Sequence, residues 1–254
     1  MNQINKLIDR TDQAVGTFLC SRSQAALEVL AGVGFDFVVI DAEHFMVNPE
    51  TIERLVTAAE SADVVPFVRV QENVDLVQRT LDCGAKGIIA PMINSGEEAR
   101  EIVNAAKFPP IGKRGVGNPR STNYGVGGAE YMDKCYEHQN ENQAVIIQIE
   151  TKEALENLPD IIGIEGLDSL FIGPWDLSHS LDQPGPDEGS QIFEDKINEV
   201  LEKCKKKEVP VGIFSWGSKE ANERVHQGFD YVICGADVIF LANSAKEELT
   251  KIRD

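Results

Sequence analysis

Eight short apolar runs recur along the chain, each leaving room for a helix behind it, and no other feature limits the possible folds so sharply. The runs are VGTFL, FVVI, VPFVRV, GIIAPM, AVIIQI, SLFIG, VPVGIF and YVICG. Their length and β-branched content are those of strands, and because they are apolar on both faces they fit a parallel sheet covered by helices. Helix-patterned stretches follow them: QAALEVLAG, PETIERLVTAAE, VDLVQRTLDCG, EEAREIVNAAK, FEDKINEVLEKCKKK, KEANERVHQG and VIFLANSAKEELTKI. Several stop at glycine, the residue that ends a helix at least steric cost. Asn48 before Pro49 makes an N-cap with proline at the first helical position. Eight β-α repeats in 254 residues favour closure over an open doubly wound sheet. The expected fold is α/β, one domain over residues 1–254: a single (β/α)8 TIM barrel, with an extra N-terminal helix at residues 2–10 outside the count.

A formal net charge of -18 repels nucleic acid and anionic membranes, yet leaves a small anionic substrate free to bind where positive charge is concentrated. The cysteines Cys20, Cys83, Cys135, Cys204 and Cys234 are odd in number and widely spaced, so they read as buried thiols in a reducing compartment. No apolar stretch is long enough to span a membrane, and the polar start MNQINKLIDR lacks the apolar core of a secretion signal. A cytoplasmic protein is expected. Two segments break the rhythm: residues 109–128 (PPIGKRGVGNPRSTNYGVGG) and residues 179–190 (HSLDQPGPDEGS). Each is either a loop over a site or a tolerated insertion.

Barrel enzymes place their chemistry at the C-terminal ends of the strands. There the sequence offers Asp41, Glu43 and His44 after FVVI, Arg69 within VPFVRV, Gln148 and Glu150 at AVIIQI, and Gly173, Trp175 and Asp176 after SLFI. Glu150 and Asp176 end consecutive strands, which run about 5 Å apart, so both carboxylates can reach one magnesium or manganese ion, with cobalt as a further ion of that kind. Each taken alone equally well caps the helix that follows it. His44 is a candidate general base, or a solvated loop histidine. Arg69 is a candidate partner for developing oxyanion charge, or an ion-pair partner of Asp41 or Glu43. The N–H groups of Gly173 and Trp175 are candidate grips for a substrate carboxylate, or parts of a tight turn.

No predicted strand carries a lysine in its C-terminal half, which favours a metal-stabilised enolate over an imine. Walker, nucleophile-elbow and zinc-protease motifs are absent from the sequence.

The elements GFDFVVIDAEH, PFVR, APMI, FPPIGKRGVG, QIET and FIGPWDLS occur in that order. Together they resemble the HpcH/HpaI aldolase family over roughly residues 12–245. The resemblance implies metal-dependent, reversible cleavage of a 4-hydroxy-2-oxo acid to pyruvate and an aldehyde, in a barrel that assembles as a hexamer. By motif position it implies Glu150 and Asp176 as metal ligands, Arg69 on the enolate oxygen, and His44 as base, paired with Asp82 of the LDCG element. It also implies that Gln148 lines the site while Gly173 and Trp175 hold the pyruvate carboxylate. Helical pattern alone puts Asp82 on a helix surface, so its role rests on the resemblance. Arg114 and Arg120 of the 109–128 loop are expected to meet a distal carboxylate on the aldehyde. Ala42, Asp182 and the continuation NPRSTNYG depart from the commonest family pattern on the aldehyde side. An oxaloacetate-type decarboxylase and a non-catalytic barrel with a binding role are the alternatives.

Overall fold

The structure is a computed structural model that describes residues 2–10, 13–71, 74–183, 185 and 190–253, with the side chain of residue 10 excepted. Eight parallel strands form a closed barrel: β1 (Ala14–Leu19), β2 (Phe37–Asp41), β3 (Val65–Arg69), β4 (Gly87–Ala90), β5 (Ala144–Ile149), β6 (Ser169–Ile172), β7 (Val211–Ser215) and β8 (Tyr231–Ala236). β8 returns to pair with β1. Helix α1 (Gln3–Arg10) precedes them. Between strands lie α2 (Gln24–Gly32), α3 (Pro49–Ser61), α4 (Val74–Asp82), α5 (Gly96–Ala106), α6 (Gly128–Asn142), α7 (Lys152–Glu156), α8 (Leu158–Ile162), α9 (Pro174–Ser180), α10 (Gln191–Lys207) and α11 (Ser218–Gln227). α12 (Asp237–Arg253) follows β8. No described helix is long and apolar enough to cross a membrane.

The period-2 alternation of the strands builds two cores. One lies between sheet and helices and holds residues such as Val38, Ile40, Val68, Ile88, Ile147 and Ile172. The other fills the barrel with Phe18, Phe37, Phe67, Phe171, Tyr231 and Ile233. Gly16 and Gly212 make the second core possible: a Cβ at either position would fall 2.1 Å from the Phe37 ring or 2.2 Å from the Tyr231 ring. The fully buried Tyr231 hydroxyl donates to the Leu170 carbonyl at 2.9 Å, which avoids the roughly 1–3 kcal/mol that an unsatisfied buried group costs. α1 closes the N-terminal end, with Ile4 and Leu7 packed into the interior cluster. Asn2 fastens it by donating to Asp168 at 2.8 Å.

Several expectations are met in detail. Asn48 caps α3 through a hydrogen bond from the Thr51 N–H, with Pro49 at the helix start. β4 ends two residues earlier than GIIAPM predicts, because Pro91 lacks the ladder N–H and Met92 takes a φ of +56°. α6 begins within the glycine-rich segment and lies outside the predicted helices.

The 109–128 segment is an ordered strap at the opposite end from the strand C-termini. Arg114 is buried there, pairing with Asp82 at 2.6 Å and donating to Gln143 at 2.7 Å. Arg120 pairs with Glu60 and donates to the Cys83 carbonyl at 2.9 Å. The expectation that these arginines meet a substrate carboxylate is not met within this chain: half-buried carboxylates and backbone carbonyls hold both of them. Of the second irregular segment, residues 184 and 186–189 lie outside the described residues.

Candidate active site

The strand register draws the polar strand ends together. Asp41 and Arg69 are opposed on β2 and β3, and the Arg69 guanidinium meets Asp41 through Nη2 at 2.7 Å and Nε at 3.1 Å. Glu43 approaches the same Nε at 3.2 Å. Burial alone would lower the Arg69 pKa, but the hydrogen bond and charge of Asp41, with Glu43 and Glu150, raise it. The cation is thus both buried and fixed, lying over the Phe18 ring at 4.5 Å. Its ion pair with Asp41 and Glu43 and its place in the site wall hold together in one geometry.

Glu150 follows β5 and is only 2% exposed. It accepts from the Met92 N–H at 2.7 Å and from the Gln148 amide. Burial raises its carboxyl most, these hydrogen bonds draw it back, and the negative charges of Glu43 and Asp176 push it up again, to about 7. Asp176 sits in the first turn of α9 and is exposed. Two carboxylates that repel each other beside a cavity lower that repulsion by sharing a cation. The buried Oε1 of Gln148 has no hydrogen-bond partner among the described residues, an acceptor that a water on a hard ion held nearby would satisfy. Among the described residues no group of three His, Cys, Asp or Glu side chains is disposed around one ion position. A two-carboxylate, all-oxygen set still fits magnesium or manganese, which retain waters and accept substrate oxygens.

His44, Arg69, Gln148, Gly173, Trp175 and Asp176 all line one cavity of about 410 Å3 at the strand C-termini. His44 is 57% exposed at its side chain, with Nε2 3.7 Å from Glu43. Asp82 does not join it: in this chain it closes α4 and pairs with Arg114, and Gln78 approaches from one turn earlier. Gly173 differs from expectation in another way. Its N–H donates to the Ile149 carbonyl at 3.2 Å and is not offered to a ligand. Its role is steric, since a Cβ there would lie 2.8 Å from Glu150 Oε2 and 2.9 Å from Gln148 Nε2. The Trp175 N–H, at the start of α9, has no carbonyl one turn back to bond and faces no such loss.

Three contributors were not singled out from sequence. The Met92 N–H depends on a left-handed turn that the APMI element does not announce. Phe45 and Trp216 also line the cavity, and an aromatic beside a strand end reads as core. A second, polar cavity of about 430 Å3 lies at the other end of the barrel, lined by Gln3, Lys86 and Arg120 among others. One carboxylate, Glu60, engages both of its cations, Lys86 and Arg120.

Known proteins resemble the chain over most of its length. A family model described as HpcH/HpaI aldolase/citrate lyase matches residues 14–244. A 2-dehydro-3,6-dideoxy-6-sulfogluconate aldolase of Pseudomonas putida is 31% identical over 250 residues, 97% of this chain and 95% of that protein. A 4-hydroxy-2-oxo-heptane-1,7-dioate aldolase of Escherichia coli is 32% identical over 235 residues, 91% of this chain and 87% of that one. Among solved structures, the citrate synthase SbnG superposes with a TM-score of 0.88 at 28% identity, covering 99% of this chain and 97% of that chain.

Proposed function

The chain belongs to the HpcH/HpaI aldolase/citrate lyase family, and from that premise we propose that it is a divalent-metal-dependent aldolase cleaving a 4-hydroxy-2-oxo acid reversibly to pyruvate and an aldehyde. The observation that carries this reading is Asp176 lining one cavity with Arg69 and His44, with Glu150 buried close enough for its carboxyl to be raised by burial and by the charge of Asp176 to about 7. Glu150 and Asp176 would hold the ion, which when bound supplies Lewis acidity toward a 2-oxo acid. The chain's own groups do the rest. Arg69, immobilised by Asp41, faces negative charge that develops when pyruvate loses a methyl proton. His44, exposed at the mouth, accepts that proton and returns it. The Trp175 N–H orients the pyruvate carboxylate, and Gly173 keeps the wall thin enough for Glu150 and Gln148 to stand where they do.

The test needs no aldehyde. Pyruvate incubated with the protein in heavy water is expected to lose its methyl signal by proton NMR with magnesium or manganese, and to keep it with chelator. Asp176→Ala is expected to abolish the exchange, and His44→Ala to slow it by about 10² to 10⁴, the range for a lost general base. Persistence of the signal under every ion tried overturns the reading. A homo-oligomer, hexameric by the family resemblance, is part of the proposal. It is supported by Leu241, Leu249 and Ile252 standing exposed on α12, with Val29 on α2 and Val33 just past its end; sedimentation at a monomer's rate would remove that part.

A further inference from the structure

Behind the carboxylate pair a belt of hydrogen bonds crosses three consecutive turns, those after β4, β5 and β6, and no step of the proposed reaction uses it. Its centre is Asn94, half-buried in the turn between β4 and α5. The Asn94 N–H donates to Glu98 at 2.6 Å, and the Asn94 carbonyl accepts from Asn157 Nδ2 at 2.8 Å. The side chain bonds on both sides: Nδ2 donates to the Met92 carbonyl at 3.1 Å, and Oδ1 accepts from the Thr151 hydroxyl. Past Thr151 the belt continues, the Lys152 N–H donating to Ser180 Oγ at 2.8 Å. Ser180 lies on α9 one turn beyond Asp176.

We infer that Asn94 and Ser180 are positioning residues that fix the spacing of the Glu150 and Asp176 carboxylates before an ion arrives; this rests on the reading of those two as its ligands. Asn94 acts through Met92. With a φ of +56°, Met92 holds a left-handed backbone that a residue with a side chain seldom adopts. In that turn its N–H reaches Glu150 Oε1 at 2.7 Å. Asn94 fastens the carbonyl of Met92, and its other side-chain bond goes to Thr151, the residue that follows Glu150. Glu150 is therefore gripped through its carboxylate by Met92 and through its chain neighbour by Thr151. Ser180 acts on the other ligand. It ties the end of α9 to the start of α7, so that Asp176 cannot swing away with its helix.

Repulsion makes such a belt necessary. The negative charges of Glu43 and Asp176 both push on Glu150. Without the belt the two carboxylates would relax apart in the metal-free protein, and an ion would have to draw them together again. Part of its binding free energy would go into that reorganisation, which a preorganised pair avoids. Hydrogen-bond partners standing behind metal ligands carry about 10- to 100-fold of metal affinity in this way. Every bond of the belt joins residues of the same chain, so it stands in a lone subunit and in an assembled one alike.

Manganese binding to the purified protein, followed by titration calorimetry or by loss of the free ion's paramagnetic resonance signal, reads the effect with no substrate present. Asn94→Ala and Ser180→Ala are each expected to weaken manganese about tenfold or more. Ser95→Ala, which removes the neighbouring N-cap of α5, is expected to lower the Tm in chelator and to leave manganese affinity unchanged. Thr151→Val is expected to weaken manganese as Asn94→Ala does, and Thr151→Ser, which keeps the hydroxyl, to retain it; this pair tests the belt with Asn94 intact. Unchanged affinity in both Asn94→Ala and Ser180→Ala overturns the inference, and a loss confined to one of them overturns the role of the other residue. An equal loss in Ser95→Ala also overturns it, since general loosening of the turn would then account for the effect. Absence of manganese binding by the unaltered protein fails the reading of Glu150 and Asp176 as ligands, and the inference falls with it.

Discussion

With its carboxyl raised from 4.5 to about 7, Glu150 keeps a proton in the folded chain over a range where the unfolded chain has released it. The folded state then binds more protons than the unfolded one, so stability of the metal-free protein falls as pH rises from about 4.5 through 7. This group alone is expected to lower the metal-free Tm by roughly 5 to 10 °C across that window. Glu150→Gln is expected to remove that part of the slope, which scanning calorimetry with chelator at several pH values reads as the difference between the two proteins. A second residue test is Gly173→Ala. The added methyl meets Glu150 and Gln148 at under 3 Å, and overpacking of this kind costs about 1–3 kcal/mol. Metal affinity measured by calorimetry is expected to fall about tenfold or more, and unchanged affinity would contradict the steric role. At this scale the placement of Glu150, Asp176, His44 and Arg69 at the strand C-termini was legible because a strand end is a fixed address in a barrel. The Gly173 N–H was not, because whether a backbone donor is free depends on the neighbouring strand's carbonyl. Trp216 and Phe45 were not, because their type suits a core equally well.

Among the elements, the strands and seven of the helices follow from hydrophobic period alone; six of these helices bury a stripe against the sheet, and α12 leaves its apolar residues Leu241, Leu249 and Ile252 exposed. The 109–128 strap resisted such reading. Its glycines report flexibility in the unfolded chain, whereas its order comes from tertiary partners: Asp82, Gln139 and Gln143 around Arg114, and Glu60 around Arg120. Burial works against the Arg114 charge and Asp82 supports it. Arg114→Met is expected to destabilise by about 3 kcal/mol, because it strands buried polar partners. Chemical denaturation measures this; a change under about 0.5 kcal/mol, the scale of an ordinary surface substitution, would mean the strap is not held by that residue.

For the molecule as a whole, the division of labour between barrel ends follows the general rule for such folds: chemistry at the strand C-termini, stability at the other end. α1 makes the division strict by packing Ile4 and Leu7 into the interior, so the barrel is a well with a floor and one doorway. Traffic through one doorway has to queue. On the proposed aldolase reading, pyruvate beside the buried Glu150 would lie deeper than the aldehyde, because Trp175 and Trp216 at the cavity are half exposed. In that reading the upper product would leave first and the lower one last, an order set by depth. Product inhibition should record it: pyruvate competitive with the 4-hydroxy-2-oxo acid, the aldehyde noncompetitive, as expected when the last product out shares the free enzyme with the substrate coming in. Competitive patterns for both products would mean that the guests depart by separate paths.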